Sequence, residues 1–209
     1  VQDMHKVIED LKDKDATVLV SFDFDPGSKA EMVPTTKAVL RHLFANNCKI
    51  VAMGNWPQGK QLANDLMIEI SGEYNKEYGK DWVNMGYQAG GFALIIGLGQ
   101  DFYDTFKKDI KLVDMKEYDL TKDIKTLKDF DLVVSLSAGS NGIDEWIIYG
   151  QSKHNFKFVG GCTAVMAPDF FPFLQSGQLS GLVGSLAEGA QYEGLIQKPD
   201  KATAAMLSQ

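Results

Sequence analysis

Two aspartates near the amino end of the chain have the spacing of a catalytic or metal-binding pair. Asp23 and Asp25 follow the apolar run 17–22 (TVLVSF) and lie two residues apart. On an extended chain this spacing projects both carboxylates to the same side. Such a pair could bind a hard cation through its oxygens, or act as a nucleophile and a general acid. The alternative interpretation is structural, because either aspartate could cap the turn that follows.

The Asp-x-Asp pattern after an apolar strand is similar to the first motif of haloacid-dehalogenase-like phosphatases. The similarity ends there, because Gly27 stands where that family has Thr or Val and Gly54 stands where its second motif has Ser or Thr. No acidic pair follows the run 131–136 to complete a magnesium site. A metal-assisted hydrolase or transferase using Asp23 and Asp25 therefore remains only an alternative. The sequence identifies no catalytic residue, no set of metal ligands and no cofactor.

Three further loops carry polar or aromatic side chains suited to ligand binding, and each follows an apolar run. Their candidate residues are Asn55, Trp56, Ser137, Ser140, Asn141 and Thr163. The first two place an amide beside an aromatic ring, which is typical of sugar and ring-stacking sites, although such a Trp can also cover the core. Asp144 and Glu145 follow the 137–142 loop and would repel an anion. That loop therefore favours a neutral polar ligand or a structural turn.

The elements that position these loops are apolar strands separated by helical stretches. The runs 17–22, 49–53, 81–85, 131–136 and 157–159 predict strands, and apolar strands linked by helices are typical of a parallel sheet buried on both faces. We expect a lead-in helix at 1–15 and a single α/β domain at 16–196. The predicted fold is three-layer, with a mainly parallel, Rossmann-like or flavodoxin-like sheet of about five strands. Ligands bind such sheets at the carboxyl ends of the strands.

Composition excludes several classes of partner. The formal net charge is −7, which disfavours nucleic acid. Arg41 is the only arginine, so a phosphate site built from several guanidinium groups is excluded. Cys48 and Cys162 are too few for a disulfide framework, and we expect both to be small buried thiols.

The last helical pattern, 178–196, is rich in small residues at a spacing of four. Examples are Gly177 with Gly181 and Ser185 with Gly189. This spacing allows another backbone to approach closely. The sequence predicts that the segment packs on its own sheet or, through 177–190, on a second copy of the chain or another membrane-protein subunit.

Several segments taken together resemble a family of uncharacterised prokaryotic membrane-anchored proteins. The resemblance covers about residues 16–196. The segments that carry it are 21–26 (SFDFDP), 78–87 (YGKDWVNMGY), 128–139 (KDFDLVVSLSAG), 161–165 (GCTAV) and 176–179 (SGQL). The resemblance implies a soluble α/β domain held between an amino-terminal hydrophobic segment and a carboxyl-terminal transmembrane helix. No activity is known for that family, so it implies no catalytic residue.

If the resemblance holds, residues 197–209 form a tail leading to a membrane anchor, and the domain faces outside the cytoplasm. Polar loops without a complete catalytic set favour a binding domain over an enzyme. The leading hypothesis is a membrane-tethered domain that binds a protein partner or a small polar ligand at the carboxyl edge of its sheet.

Overall fold

The computed structural model describes residues 1–196, so the predicted tail at 197–209 lies outside the described residues. Within that range the chain forms one six-stranded sheet in which every strand pair is parallel. The strands are β1 (Thr17–Asp23), β2 (Lys49–Gly54), β3 (Trp82–Tyr87), β4 (Leu132–Ser137), β5 (Phe158–Cys162) and β6 (Leu182–Val183). Their spatial order is β3-β2-β1-β4-β5-β6. The predicted parallel α/β fold is confirmed, with six strands in place of about five.

Helices cover both faces of the sheet. The α-helices are α1 (Gln2–Glu9), α2 (Lys29–Ala45), α3 (Gly59–Glu73), α4 (Phe92–Gln100), α5 (Phe102–Thr105), α6 (Ile143–Glu145), α7 (Ser152–His154), α8 (Ala167–Gln175) and α9 (Leu186–Leu195). A π-helical segment, Trp146–Gln151, joins α6 to α7, and short 3-10 turns lie at Pro26–Ser28, Met115–Glu117 and Leu127–Asp129. None of the helices in the described range combines the length and apolar character needed to cross a membrane.

The two faces of β1 differ in chemistry. Val18, Val20 and Phe22 belong to the core formed with α1, α2, α3 and α9. Leu19 belongs to the second core, on the opposite face, because side chains alternate along a strand. The next two residues on that second face are Ser21 and Asp23, so polar side chains replace apolar ones where β1 reaches the carboxyl edge of the sheet.

The neighbouring strand β4 repeats this pattern. Leu132, Val134 and Leu136 belong to the first core, and Val133 belongs to the second. Ser135 and Ser137 follow Val133 on the same face, where they pair in register with the polar residues of β1. A buried polar stripe therefore crosses the two central strands at the edge where ligands bind in this fold.

The glycine-rich end of the chain differs from its prediction. The single helix expected at 178–196 is wrong, because β6 occupies part of it and α9 begins only at Leu186. A Cβ on Gly181 would lie 2.5 Å from the backbone nitrogen of Met4, and one on Gly184 would lie 2.4 Å from the Cβ of Ala167. The small residues thus allow close packing on α1 and α8 of the same chain.

A glycine also brings the start of α3 against the end of β1. A Cβ on Gly59 would lie only 2.1 Å from the carbonyl oxygen of Phe22. No larger residue fits there without a backbone shift, because real side-chain atoms do not approach a carbonyl that closely. By contrast, Gly72 near the end of the same helix has open space around it.

Candidate functional site

Asp23 is the centre of a buried hydrogen-bond network at the carboxyl edge of the sheet. Its side chain is fully buried. Oδ1 accepts hydrogen bonds from the hydroxyl of Ser21 (2.6 Å) and the backbone N–H of Asn55 (2.9 Å). Oδ2 accepts from the hydroxyl of Ser135 (3.0 Å) and the indole N–H of Trp146 (3.3 Å). The carboxylate therefore ties β1, β4, the loop after β2 and the π-helical segment together.

Burial raises the pKa of Asp23 to about 6, because a carboxylate loses its hydration when it is enclosed. The four hydrogen bonds oppose this shift by stabilising the ionised form. Asp23 has no exposed surface, so it cannot contact a ligand directly. Its role at the edge of the sheet is to hold the surrounding loops in place.

The loop after β2 is fastened to the loop after β4. The amide nitrogen of Asn55 donates to the carbonyl of Asn141 (3.2 Å), and the indole N–H of Trp56 donates to the carbonyl of Ser140 (2.9 Å). The Trp56 ring lies against Gly139, where a Cβ would come within 2.8 Å of it. Trp56 therefore covers the β4 loop, whereas the sequence suggested either a ligand platform or a cover on the core.

One polar atom of this loop pair has no partner. Asn55 is only 4% exposed, and its Oδ1 makes no hydrogen bond in the described structure.

The part of the edge around Asn141 is rich in carboxylates. Turned so that its nitrogen faces Glu145, the Asn141 amide donates to both carboxylate oxygens of that residue, at 2.7 and 3.0 Å. Burial, followed by the charges of Asp144 and Asp23, raises the pKa of Glu145.

Asp25 is separate from the Asp23 network. It precedes the 3-10 turn Pro26–Ser28, and its Oδ1 accepts from the backbone N–H (3.2 Å) and the hydroxyl (3.1 Å) of Ser28. The two aspartates therefore have different partners, and in the described range they belong to no group of three or more metal-ligating side chains. These contacts match the structural interpretation in which Asp25 caps a turn.

The remaining predicted residues lie on the same edge with local partners. The hydroxyl of Ser137 donates to the carbonyl of Gly139 at 3.1 Å. Thr163 follows β5 and is half-buried, and its neighbour Ala164 donates its backbone N–H to Glu31 at 2.6 Å. Direct hydrogen bonds thus join Asp23, Asn55, Trp56, Ser140 and Asn141, whereas Ser137 and Thr163 lie beside that network.

An open cleft lies at the carboxyl end of β3, and we call it the β3 cleft. Its volume is about 380 Å³. Its walls are Lys60 of α3, residues 85–88 at the end of β3, and the segment 104–110 with Leu112. Tyr87 pairs with Gly54 in the register of β2 and β3, so the cleft adjoins the loop that carries Asn55. None of the residues predicted from the sequence lines it.

Three lysines and two aspartates, Asp104 and Asp109, line the β3 cleft. The Lys60 side chain passes over Gly86, whose Cβ would lie 3.7 Å from Cδ and Cε of that lysine. Lys107 forms an ion pair with Asp104 at 3.5 Å. In the described part of the chain, Lys60 and Lys108 have no ion pair. The cleft therefore offers two ammonium groups that form no ion pair, although the charge of Lys108 also acts on Asp114.

A buried carboxylate forms the floor of this region. Asp109 is 3% exposed and accepts hydrogen bonds from the hydroxyls of Tyr78 (2.5 Å) and Tyr118 (2.7 Å). Its other oxygen accepts from the backbone N–H groups of Lys111 (2.9 Å) and Val113 (3.0 Å). Because its oxygens are fully engaged, Asp109 shapes the 104–112 segment and has little capacity left to attract a cationic ligand.

Comparison of the chain with protein-family models, with curated proteins and with solved structures finds no match. The fold and the geometry of the edge are therefore the observations from which a function can be argued.

Proposed function

We propose that this chain is a binding domain for a small polar ligand that carries a negative group, and that the ligand occupies the β3 cleft. The observation that carries the proposal is an open cleft of about 380 Å³ at the carboxyl edge of a parallel sheet, with the unpaired lysines Lys60 and Lys108 in its walls. Ligand pockets are typically about 300–1,000 Å³ in volume. Open α/β sheets bind ligands outside the carboxyl ends of their strands, at the point where the strand order reverses. In this sheet that point lies between β1 and β4, and the β3 cleft lies farther along the same carboxyl edge.

The Asp23 network supports this proposal because it fixes the loops next to the cleft before any ligand arrives. Asp23 holds the backbone of Asn55, and Asn55 and Trp56 hold the β4 loop. A preformed site loses less conformational entropy when it binds. The acidic groups near Asn141 lie outside the cleft, at another part of the same edge.

We also propose that the domain is tethered to a membrane, faces outside the cytoplasm and works with a protein partner. The support is the sequence resemblance over residues 16–196. Fractionation of cells expressing the full gene product tests the tether. Recovery in the membrane fraction, with the domain open to added protease in intact cells, is expected; recovery in the soluble fraction would contradict it.

A thermal-shift screen tests ligand binding. The probes are inorganic phosphate, small dicarboxylates, sugar phosphates and uncharged sugars. A ligand present at about one hundred times its dissociation constant adds about 2.7 kcal/mol of stability. For a chain of this length that is roughly 5–11 °C in melting temperature. We expect an anionic probe to produce this shift and its uncharged counterpart to produce none.

Charge-matched variants locate the site. Lys60→Gln with Lys108→Gln should abolish the shift, because the ammonium groups that attract the ligand are removed. The control is Lys12→Gln with Lys14→Gln, which makes the same change of net charge at exposed positions far from the cleft in sequence. A shift that survives in the cleft variant, or a screen without any shift, would refute the proposal. Chemical conversion of a probe, lost in Asp23→Asn and Asp25→Asn, would favour the hydrolase alternative instead.

A further inference from the structure

Two of the three histidines in the chain face one another across α1 and α2, beside a glutamate. His5 and Glu9 are one turn apart on α1, so they share a face of that helix. His42 lies in the last turn of α2, and its ring stacks on that of His5 with centroids 4.6 Å apart. One ligand atom from each of the three side chains can be chosen so that all lie within 4.8 Å of one another.

We propose that His5, Glu9 and His42 bind a divalent transition-metal ion, with Zn²⁺ as the expected species. Two imidazoles and one carboxylate form a donor set that zinc accepts, leaving a fourth position for water or another ligand. Imidazole donors suit zinc, copper and nickel, whereas magnesium and calcium require oxygen donors. The site is separate from the β3 cleft and does not depend on the function proposed for it.

The side chains around the three donors are arranged as metal sites require. His42 is 2% exposed, and its Nδ1 lies 2.6 Å from the hydroxyl of Tyr192, which is itself fully buried. Asn46 holds the peptide carbonyl of Ile8 with its amide at 3.1 Å, next to Glu9. Hydrogen bonds to the second nitrogen of a ligating histidine fix its ring and tune its basicity.

The Tyr192 hydroxyl can keep its hydrogen bond to His42 both in the metal-free site and in the metal-bound site. Without a metal, Nε2 of His42 lies 2.7 Å from Oε1 of Glu9; if Nε2 carries the hydrogen it donates a hydrogen bond to that carboxylate, and Nδ1 accepts one from Tyr192. With a metal on Nε2, the proton moves to Nδ1, which then donates to the same hydroxyl. A hydroxyl group can donate or accept, so this outer hydrogen bond persists when the metal binds.

Binding requires the three side chains to move. Atoms that ligate one tetrahedral zinc with bonds of about 2.0–2.1 Å lie roughly 3.3 Å apart, so a donor pair near the 4.8 Å limit must close by roughly 1.5 Å. The His5 ring must also turn out of its stack on His42, so that both nitrogen lone pairs point at the ion. Oε1 of Glu9 and Nε2 of His42 must separate by roughly 0.6 Å. The Glu9 side chain is 42% exposed and can make this movement without disturbing the core.

Metal titration of the untagged protein tests this site. We expect one equivalent of Zn²⁺ to bind in competition with a chromophoric chelator, and Co²⁺ to give the strong visible absorption of a tetrahedral complex, with no competition from Mg²⁺. His5→Gln and Glu9→Gln should each lower zinc affinity by at least about tenfold, because each removes a direct ligand. Tyr192→Phe should lower it by roughly 10–100-fold, which is the usual effect of losing an outer hydrogen bond.

His154→Gln is the matched control, because it removes the third histidine, which lies outside the cluster. It should bind zinc as the unmodified chain does. His5 is only partly buried, so its variant should fold, which urea unfolding would verify. Absence of saturable one-to-one binding in the unmodified chain would overturn the proposal. So would unchanged affinity in His5→Gln or an equal loss in His154→Gln.

Discussion

Asp23 should make the protein less stable as the pH rises from acid to neutral. Its pKa is raised from the ordinary value of 3.8 to about 6, so the folded state holds the proton more tightly than the unfolded state. The corresponding stability is fully present below pH 3.8 and is lost as the pH rises through 6. The shift of the Asp23 pKa from 3.8 to about 6 corresponds to about 3 kcal/mol of unfolding free energy. Of this, about 1.4 kcal/mol is lost between pH 5 and pH 8.

Urea unfolding of the unmodified chain and of Asp23→Asn at several pH values between 5 and 8 measures this loss. The variant has no titrating group at the position, so the stability of the unmodified chain relative to it should fall by about 1–2 kcal/mol over that range. Any constant cost of the asparagine, such as an amide facing the indole N–H of Trp146, cancels in the comparison. The repulsion between Asp23 and Glu145 acts in the same direction.

Asp25→Asn is the matched control, because asparagine also caps turns and the carboxylate removed lies two residues away. It should keep the pH dependence of the unmodified chain. A relative stability that is flat between pH 5 and pH 8 would refute the reasoning, because it would mean that the four hydrogen bonds outweigh burial and keep Asp23 ionised throughout. A relative stability that increases with pH would refute it more strongly.

Three further predictions follow from packing and burial. Gly59→Ala should lower the unfolding free energy by about 1–3 kcal/mol, because the added methyl group would meet the backbone. Gly72→Ala lies in the same helix with open space around it, so it should raise the unfolding free energy by about 0.5–1 kcal/mol. Equal effects of the two variants would contradict the packing argument. Asp109→Asn should cost about 2 kcal/mol or more, because an amide nitrogen cannot accept from the Tyr78 and Tyr118 hydroxyls as the carboxylate does; a neutral result in urea unfolding would contradict this. Burial raises the pKa values of Cys48 and Cys162 to about 12, so neither should react with a thiol reagent at pH 8 until the protein unfolds; rapid labelling of the native state, measured by mass spectrometry, would contradict this.

Strands with long apolar runs were predictable from the sequence. The runs that became β1 and β4 are six residues of nearly continuous apolar character, which is the pattern of a strand buried on both faces. β6 has only two residues, Leu182 and Val183, between glycines. Neither length nor alternation could identify it. The spacing of small residues around it favours a helix. The structure gives a different reason for the small residues: Gly181 packs against Met4 and Gly184 against Ala167, which are distant in sequence.

The place of the candidate site was predictable, but its internal organisation was not. Parallel strands end at the same edge of a sheet, so the polar residues Asp23, Asn55 and Asn141, at or just after three strand ends, were expected to lie there together. The network that holds them also needs Trp146, whose indole reaches Asp23 from 123 residues away. The β3 cleft depends on the irregular segment 104–112, which has no periodicity to interpret. His5 and Glu9 have a visible spacing of four, but only the docking of α1 on α2 brings them to His42.

The position of β1 at the centre of the sheet has a consequence for how the chain folds. The contact between Asp23 and Asn55 joins residues 32 apart, whereas the contact between Thr17 and Asp131 on the other side of β1 joins residues 114 apart. Closing the longer loop costs about 1 kcal/mol more in chain entropy. Contacts at long sequence separation also form slowly. We therefore expect the sheet to grow outward from a β1–α2–β2 nucleus, with β4 docking late. Until that happens we expect the carboxylate of Asp23 to remain hydrated, because two of its four hydrogen-bond partners, Ser135 and Trp146, arrive with β4 and the segment after it.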